Sequence, residues 1–233
     1  MGYTALPETV TFDGVLFDMD GTIIDSTSAV VKHWHSVGNE IGVDPELILQ
    51  TSHGRRSMDI LRILCPKKAN WEYVCHMEGL LPMNYHQEAV EIPGARSLLE
   101  HIIARKHKWA IVTSGTVPLV VGWLDVLKLP HPEHLVTAES VENGKPDPSC
   151  YIMGREKIGL AAPSARVVVV EDSPAGIEAG KAAGCKVIGL VTSHVVQDVL
   201  GADWIVKDLS DVRLIEGPGE EVTLEISNAF VKS

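Results

Sequence analysis

Residues 14–22 read Gly-Val-Leu-Phe-Asp-Met-Asp-Gly-Thr, an apolar run that leads directly into two acidic residues. The run at residues 15–17 is typical of a buried strand. Asp18 and Asp20 follow it, and side chains two apart on a strand point to the same side. Carboxylates held this close repel each other, so the pattern indicates a site for a cation or for proton transfer. Taken alone, the stretch also fits an exposed Asp-x-Asp-Gly turn.

Four later runs share the apolar character of the first one. They occupy residues 109–112, 167–170, 186–191 and 204–206. Continuous apolar strands that alternate with helical patterns are typical of a parallel sheet covered on both faces. The sequence therefore predicts an α/β fold with a doubly wound, parallel-sheet (Rossmann-like) core. In such sheets ligands bind beyond the carboxyl ends of the strands, and polar clusters follow several of these runs.

Residues 27–90 differ in their sequence pattern, because aromatic and basic residues stand among aliphatic ones and no run resembles a buried strand. We predict that they form a helical cap domain inserted after the first strand, and that residues 1–26 and 91–233 form the catalytic core. More helices on a single domain are the alternative. Near the end of the chain, residues 212–215 and 222–226 flank a Gly-Pro-Gly turn and predict a hairpin. We expect this hairpin to extend an edge of the parallel sheet.

The 233 residues carry a formal net charge of −11, and 45% of them are hydrophobic. This hydrophobic fraction suffices for a buried core, and the acidic balance argues against nucleic-acid and membrane partners. The four cysteines form no CxxC pair, and the chain shows no signal peptide or long apolar run. We therefore expect a cytoplasmic protein with free thiols. Because the predicted cap and core need no further chain, we expect a monomer.

Three further polar clusters follow the predicted strands or lie on loops. Ser114 and Gly115 offer a hydroxyl and a backbone amide ahead of a helix, which suits a phosphate oxygen. Lys145 lies on a loop and is restrained by the proline that follows it. Glu171 and Asp172 stand directly before a helix start. Each cluster taken alone also fits a surface loop, a turn or a solvated helix start.

The charge balance indicates how these groups coexist. Four carboxylates gathered around one lysine repel each other in a partly dry cleft. A divalent metal relieves this repulsion, and a small set of oxygen ligands favours Mg²⁺. With the metal and Lys145 in place, the site can accept a dianionic phosphate, and an aspartate can attack the phosphorus.

The four clusters resemble the motifs of the haloacid dehalogenase-like (HAD) phosphohydrolase superfamily, over nearly the whole chain. The family pattern is Asp-x-Asp-Gly-Thr, then Ser or Thr, then Lys, then an acidic pair. The resemblance implies a HAD core in which Asp18 is the nucleophile and Asp20 is the general acid and base. It also implies that Ser114 and Lys145 hold the transferring phosphoryl group. The implied Mg²⁺ ligands are Asp18, the backbone carbonyl of Asp20, Asp172, and Glu171 either directly or through water.

Longer stretches resemble the fungal glycerol-phosphatase and 2-deoxyglucose-6-phosphatase group of this superfamily. They are residues 52–57, 108–116, 143–148 and 171–184. In that group a His-Gly-x-Arg motif lies in the cap, which implies that His53 and Arg56 contact the substrate. A structural ion pair is the alternative role for Arg56. Glu78 matches the glycerol-phosphatase pattern as an acceptor for a substrate hydroxyl, and Gly115 adds a backbone amide to the substrate site.

Together these residues predict a Mg²⁺-dependent phosphatase that hydrolyses small polyol or sugar phosphates through an aspartyl-phosphate. Glycerol 3-phosphate is favoured by the match around Glu78 and residues 131–133. The alternatives are a hexose phosphatase of the 2-deoxyglucose-6-phosphate type, a phosphatase for an organic phosphate of a specialised pathway, and a phosphomutase. A dehalogenase would need neither Asp20 nor Mg²⁺, and a non-catalytic scaffold would not be expected to keep all four clusters.

Overall fold

The structure is a computed structural model, and it describes residues 2–52, 54–217 and 219–231. Its strands, in chain order, are β1 (Glu8–Phe12), β2 (Gly14–Phe17), β3 (Ile24–Asp25), β4 (Val90–Glu91), β5 (Trp109–Val112), β6 (Leu135–Val136), β7 (Val167–Glu171), β8 (Lys186–Leu190), β9 (Trp204–Val206), β10 (Val212–Leu214) and β11 (Val222–Ile226). Its α-helices are α1 (Thr27–Ile41), α2 (Pro45–Ser52), α3 (Ser57–Leu64), α4 (Trp71–Asn84), α5 (Ala95–Ala104), α6 (Val117–Leu127), α7 (Ser149–Lys157) and α8 (Pro174–Ala182).

Six strands form one parallel sheet in the order β6-β5-β2-β7-β8-β9. The predicted α/β fold with a parallel sheet is therefore confirmed, and all five predicted apolar runs are strands of this sheet. The strand β6 was not predicted, because its two residues are too few to show a period. Its position matters for the site, because the loop after β6 carries Lys145 to the same edge of the sheet.

Alternate residues of the central strands pack into opposite layers of the core. In β2, Val15 and Phe17 belong to the hydrophobic cluster that includes residues of α5 and α6. Leu16 belongs to the cluster that includes residues of α7 and α8. Because side chains alternate along a strand, a sheet covered on both faces needs apolar residues at every position. This arrangement explains why all four residues of β2 are buried.

Helices α1–α4 form a helical segment (residues 27–84) with a hydrophobic cluster of its own, which includes Trp34, Leu61 and Val74. The chain enters this segment after β3 and leaves it before β4, and these two short strands pair antiparallel. The segment packs on the core through α4 and α6. A Cβ atom on Gly122 would lie 2.7 Å from Cγ of Pro82, so the two helices approach closely there.

The predicted hairpin at the end of the chain is confirmed as β10 and β11, which pair antiparallel. The prediction that it extends the parallel sheet is wrong. The hairpin instead forms a separate three-stranded sheet in the order β1-β11-β10. The reason is that the unpredicted strand β1 supplies an antiparallel partner, from Glu8 opposite Ile226 to Phe12 opposite Val222. In the part of the chain that the structure describes, no helix combines the length and the apolar character needed to cross a membrane.

Candidate active site

The carboxyl ends of β2, β5 and β7 and the loop after β6 meet at one edge of the parallel sheet. The helical segment covers this edge and leaves a cleft with a volume of about 100 Å³. The predicted core residues that line the cleft are Asp18, Asp20, Ser114, Gly115 and Asp172. Lys145 contacts Asp18 and Glu171 through its ammonium group, so both residues adjoin the cleft. The structure therefore brings the four polar clusters of the sequence to one site.

Asp18 and Glu171 share a buried ammonium group. Nζ of Lys145 lies 2.6 Å from Oδ1 of Asp18 and 2.6 Å from Oε1 of Glu171. Burial lowers the pKa of Lys145, but the two carboxylates outweigh this effect and raise the pKa overall. The lysine is therefore cationic. The backbone N–H of Asp18 donates to the carbonyl of Val170, 3.0 Å away, which fixes the end of β2 against β7.

Glu171 is fully buried and its two oxygens are occupied by protein donors. Oε1 accepts hydrogen bonds from Lys145 and from the Tyr151 hydroxyl, at 2.6 and 2.9 Å. Oε2 accepts from the backbone N–H groups of Asp172 and Ser173, both at 2.9 Å. Burial raises the pKa of Glu171, but Lys145 and these hydrogen bonds lower it overall. Glu171 therefore acts in this structure as a charged anchor for Lys145.

Three carboxylates form a compact group of oxygen donors. One oxygen each from Asp18, Glu171 and Asp172 lie within 4.8 Å of one another. Burial, followed by the charge of Glu171, raises the pKa of Asp172. Gly21 lets the chain pass close to this group, because a Cβ there would lie 2.1 Å from Oδ2 of Asp172. Three buried carboxylates with only one lysine beside them leave an excess of negative charge. Their oxygens are hard donors, so the group fits a divalent cation.

The carboxylate of Asp20 stands apart from this group. Its Oδ1 accepts a hydrogen bond from the Ser26 hydroxyl at 2.5 Å, and the residue is half-buried at the cleft wall. Burial raises the pKa of Asp20, although the bond from Ser26 and the charge of Lys145 oppose this effect. A raised pKa suits a carboxyl group that gives up a proton to a leaving group. The structure thus separates Asp20 from the acids that can hold a metal through their side chains.

Ser114 and Gly115 lie between β5 and α6. Oγ of Ser114 donates to the backbone carbonyl of Gly54 at 3.0 Å, so this hydroxyl joins the core to the helical segment. The N–H of Gly115 donates to Oγ1 of Thr113, also at 3.0 Å. Both residues line the cleft as predicted. When a substrate phosphate binds, these two donors would leave their internal partners and donate to the phosphate oxygens.

Glu78 reaches the site from α4 and is buried. Its carboxylate accepts hydrogen bonds from the Ser57 hydroxyl at 2.5 Å and from the backbone N–H of Thr116 at 2.8 Å. Burial raises the pKa of Glu78 to about 7, although these two bonds oppose the shift. A carboxylate has about four lone-pair sites, so it can accept a further hydrogen bond. Glu78 lines the cleft and also ties the helical segment to the start of α6.

The two adjacent arginines of the cap motif take different positions. Arg56 is buried, and its guanidinium donates to the carbonyls of Ala138, Val141 and Glu142 at 2.7 to 3.1 Å. Arg56 also forms an ion pair with Asp59, and it is not among the residues that line the cleft. These contacts fit the structural ion pair that the sequence analysis gave as its alternative role. Arg55 is exposed and does line the cleft. His53 lies outside the described residues.

Several residues that surround the site were not predicted. Thr22 and Ser193 donate hydrogen bonds to Asp172, and Tyr151 donates to Glu171. His33 and Ser52 line the cleft from the helical segment. Thr22 is the last residue of the Asp-x-Asp-Gly-Thr motif, and this motif is the signal that marks it in the sequence. The others come from distant parts of the chain, and no local pattern marks them.

Several known proteins are similar to this chain in sequence or in fold. The family model described as "Haloacid dehalogenase-like hydrolase" matches residues 15–190. Glycerol-1-phosphate phosphohydrolase 1 of Saccharomyces cerevisiae is 39% identical to this chain, over 97% of the chain and 94% of the relative. 2-deoxyglucose-6-phosphate phosphatase 1 of the same yeast is 33% identical, over 95% and 98%. The crystal structure of a hydrolase from Pseudomonas syringae has a TM-score of 0.71 at 23% identity, and the match covers 84% of this chain and 94% of that one.

Proposed function

Because this chain belongs to the haloacid dehalogenase-like hydrolases, we propose that it hydrolyses phosphate monoesters of small polyols, with Asp18 as the nucleophile. One observation carries this proposal. Asp18 stands at the end of a central strand, where Nζ of Lys145 lies 2.6 Å from its Oδ1 and Asp20 lies two residues further on at the cleft wall. A nucleophile, a fixed cation and a separate proton donor are the groups that transfer of a phosphoryl group to a carboxylate requires.

The first step uses Asp18 and Asp20 together. An oxygen of Asp18 forms a bond to phosphorus while the bond from phosphorus to the ester oxygen breaks. Asp20 gives its proton to the departing alcohol oxygen and becomes a carboxylate. In the second step Asp20 takes a proton from a water molecule whose oxygen attacks the aspartyl-phosphate. Phosphate leaves, Asp18 is regenerated, and Asp20 is protonated again.

The cation of the site is proposed to be Mg²⁺. The residues that would hold it are Asp18, Asp172, the backbone carbonyl of Asp20, and Glu171 directly or through water. When bound, Mg²⁺ supplies positive charge that reduces the repulsion between the phosphoryl group and the Asp18 carboxylate. Lys145 and Ser114 would hold the phosphoryl oxygens. The N–H of Gly115 would add a donor once Thr113 releases it.

The helical segment is proposed to be the cap that selects the alcohol part of the substrate. It contributes Glu78, which we propose as an acceptor for a substrate hydroxyl. From the family motif, His53 remains a proposed substrate contact. Arg56 does not line the cleft, so we propose the structural role for it, and we add Arg55, which lines the cleft and has no ion-pair partner among the described residues. The yeast relative with 39% identity is a glycerol-1-phosphate phosphohydrolase, which supports glycerol phosphate as the substrate. The chain is proposed to act as a cytoplasmic monomer, in which the helical segment and the core need no further chain.

The experiment is to measure phosphate release by the purified protein with and without Mg²⁺. The panel contains both enantiomers of glycerol phosphate, a hexitol phosphate and 2-deoxyglucose 6-phosphate. We expect Mg²⁺-dependent release, with the highest kcat/KM on a glycerol phosphate. A preference for 2-deoxyglucose 6-phosphate would overturn the polyol part of the proposal. No release from any ester would overturn the phosphatase itself.

A further inference from the structure

Two residues on the cap side of the cleft each carry a buried polar atom without a hydrogen-bond partner among the described residues. The atoms are Nε2 of His33 and Oγ of Ser52. The residues are 7% and 6% exposed, and both line the cleft. Most buried polar atoms in proteins are hydrogen-bonded, so each exception calls for an explanation. Because both residues line the cleft, a molecule bound there can supply the partners.

The chemistry of these two groups indicates what that molecule offers. Burial lowers the pKa of His33 to about 4, so its imidazole is neutral at physiological pH. A neutral imidazole nitrogen and a serine hydroxyl are both uncharged hydrogen-bonding groups. They add no positive charge for a phosphate. A hydroxyl group, which can donate and accept, satisfies both of them.

The positions of the two residues separate them from the phosphate end of the cleft. His33 lies on α1 and Ser52 ends α2, whereas Asp18 and Ser114 follow strands of the core. Apolar side chains also line the cleft, among them Val30 and Leu81. They provide a surface for the carbon chain of a ligand whose hydroxyls reach the polar atoms.

We infer that His33 and Ser52 determine specificity by hydrogen bonding to hydroxyl groups of the substrate that lie away from its phosphate. The substrate class that they select is a polyol phosphate, in preference to an alkyl phosphate of the same length without hydroxyls. This inference rests on the proposed function, because it takes the cleft as the binding site of a phosphate monoester.

The test measures dissociation constants by calorimetry in Mg²⁺, using the Asp18→Asn protein so that no turnover occurs. The two probes are glycerol 1-phosphate and propyl phosphate. We expect His33→Leu in this background to raise the Kd of glycerol 1-phosphate by about tenfold, which is the effect of one lost hydrogen bond. The Kd of propyl phosphate should rise by less than about twofold. Ser52→Ala should likewise weaken the binding of glycerol 1-phosphate more than that of propyl phosphate. His33→Gln, which keeps a polar group at a similar reach, should recover part of the binding.

Thermal unfolding without ligand distinguishes specificity from structure. Because Nε2 of His33 has no partner among the described residues, His33→Leu should leave the unfolding temperature unchanged or raise it. Equal weakening of both probes, no weakening of either, or no binding of glycerol phosphate to the Asp18→Asn protein would overturn the inference. The proposed function fails separately, if the wild-type protein releases no phosphate from any ester.

Discussion

Nζ of Lys145 lies 2.6 Å from Oδ1 of Asp18, and both side chains are buried. The same ammonium binds Glu171 at 2.6 Å, and Glu171 is held in turn by Tyr151 and by two backbone N–H groups. The proposed nucleophile is therefore oriented by a cation whose own position is fixed by Glu171. This chain of contacts links the loop after β6 to the ends of β2 and β7. It explains why residues 127 positions apart in the sequence belong to one site.

Lys145→Met tests this contact. The change leaves Asp18 and Glu171 buried without their shared cation, so we expect the free energy of unfolding to fall by about 3–5 kcal/mol. We expect kcat to fall by at least about 10²-fold, because a fixed charge at the phosphoryl group is lost. Urea denaturation and phosphate release measure the two effects. Lys67→Met, at an exposed position, is the matched control and should change stability by less than about 0.5 kcal/mol. Wild-type kcat in Lys145→Met would contradict this account.

Mg²⁺ should stabilise the folded protein. The carboxylates of Asp18, Glu171 and Asp172 lie within 4.8 Å of one another, and a cation that binds only the folded state adds about 2.7 kcal/mol at 100 times its Kd. Asp172→Asn should abolish the rise in unfolding temperature that Mg²⁺ causes. Asp198→Asn, at an exposed site, should keep it. An equal rise in both variants would show that the ion binds elsewhere.

Glu78 should make stability depend on pH. Burial raises its pKa to about 7 from an ordinary value of 4.5, so the folded state binds a proton more tightly than the unfolded state. Stability from this group is full below about pH 4.5 and falls as pH rises to about 7, by about 3 kcal/mol in total. Glu78→Gln keeps an acceptor for the Thr116 N–H and removes the ionisation. In urea denaturation, the free energy of unfolding of the wild-type protein should fall between pH 5 and 7 because of this group. We expect this fall to be absent in the variant. Parallel pH profiles for the two proteins would refute the assignment.

Substitutions of Arg55 and Arg56 should separate an effect on substrate binding from an effect on stability. Arg56→Ala removes three hydrogen bonds to core carbonyls, so we expect a loss of about 2–4 kcal/mol in unfolding free energy. Arg55→Ala removes an exposed side chain of the cleft, so we expect KM to rise by about 3–10-fold and stability to change by less than about 0.5 kcal/mol. Steady-state kinetics and urea denaturation on both variants measure this. A raised KM with unchanged stability in Arg56→Ala would instead favour the substrate contact that the family motif implies.

The sequence was sufficient for five of the six strands of the parallel sheet and for the polar clusters at its edge, because both are marked by local patterns. Three of the apolar runs continue within two residues into a polar cluster, as residues 15–17 continue into Asp18. The parallel sheet then brings separate strand ends together without further information. This is why the positions of Asp18, Ser114, Glu171 and Asp172 could be predicted.

The surroundings of the site could not be predicted in the same way. Strands β1 and β6 are short or lie at an edge, and their pairing depends on partners far along the chain. The contacts of Arg56 are with carbonyl groups more than 80 residues away, which no local pattern encodes. His33 looks like one of ten histidines until the fold places it against the cleft.

The most direct test of the central claim is the rate of phosphate release from glycerol phosphate in Mg²⁺, compared between the wild-type protein and Asp18→Asn. The two side chains have nearly the same size, but only the carboxylate can attack phosphorus. We predict steady release by the wild-type protein and none above background by Asp18→Asn, with both proteins folded by circular dichroism. Release by Asp18→Asn at the wild-type rate would contradict a nucleophilic role for Asp18 and with it the proposed mechanism.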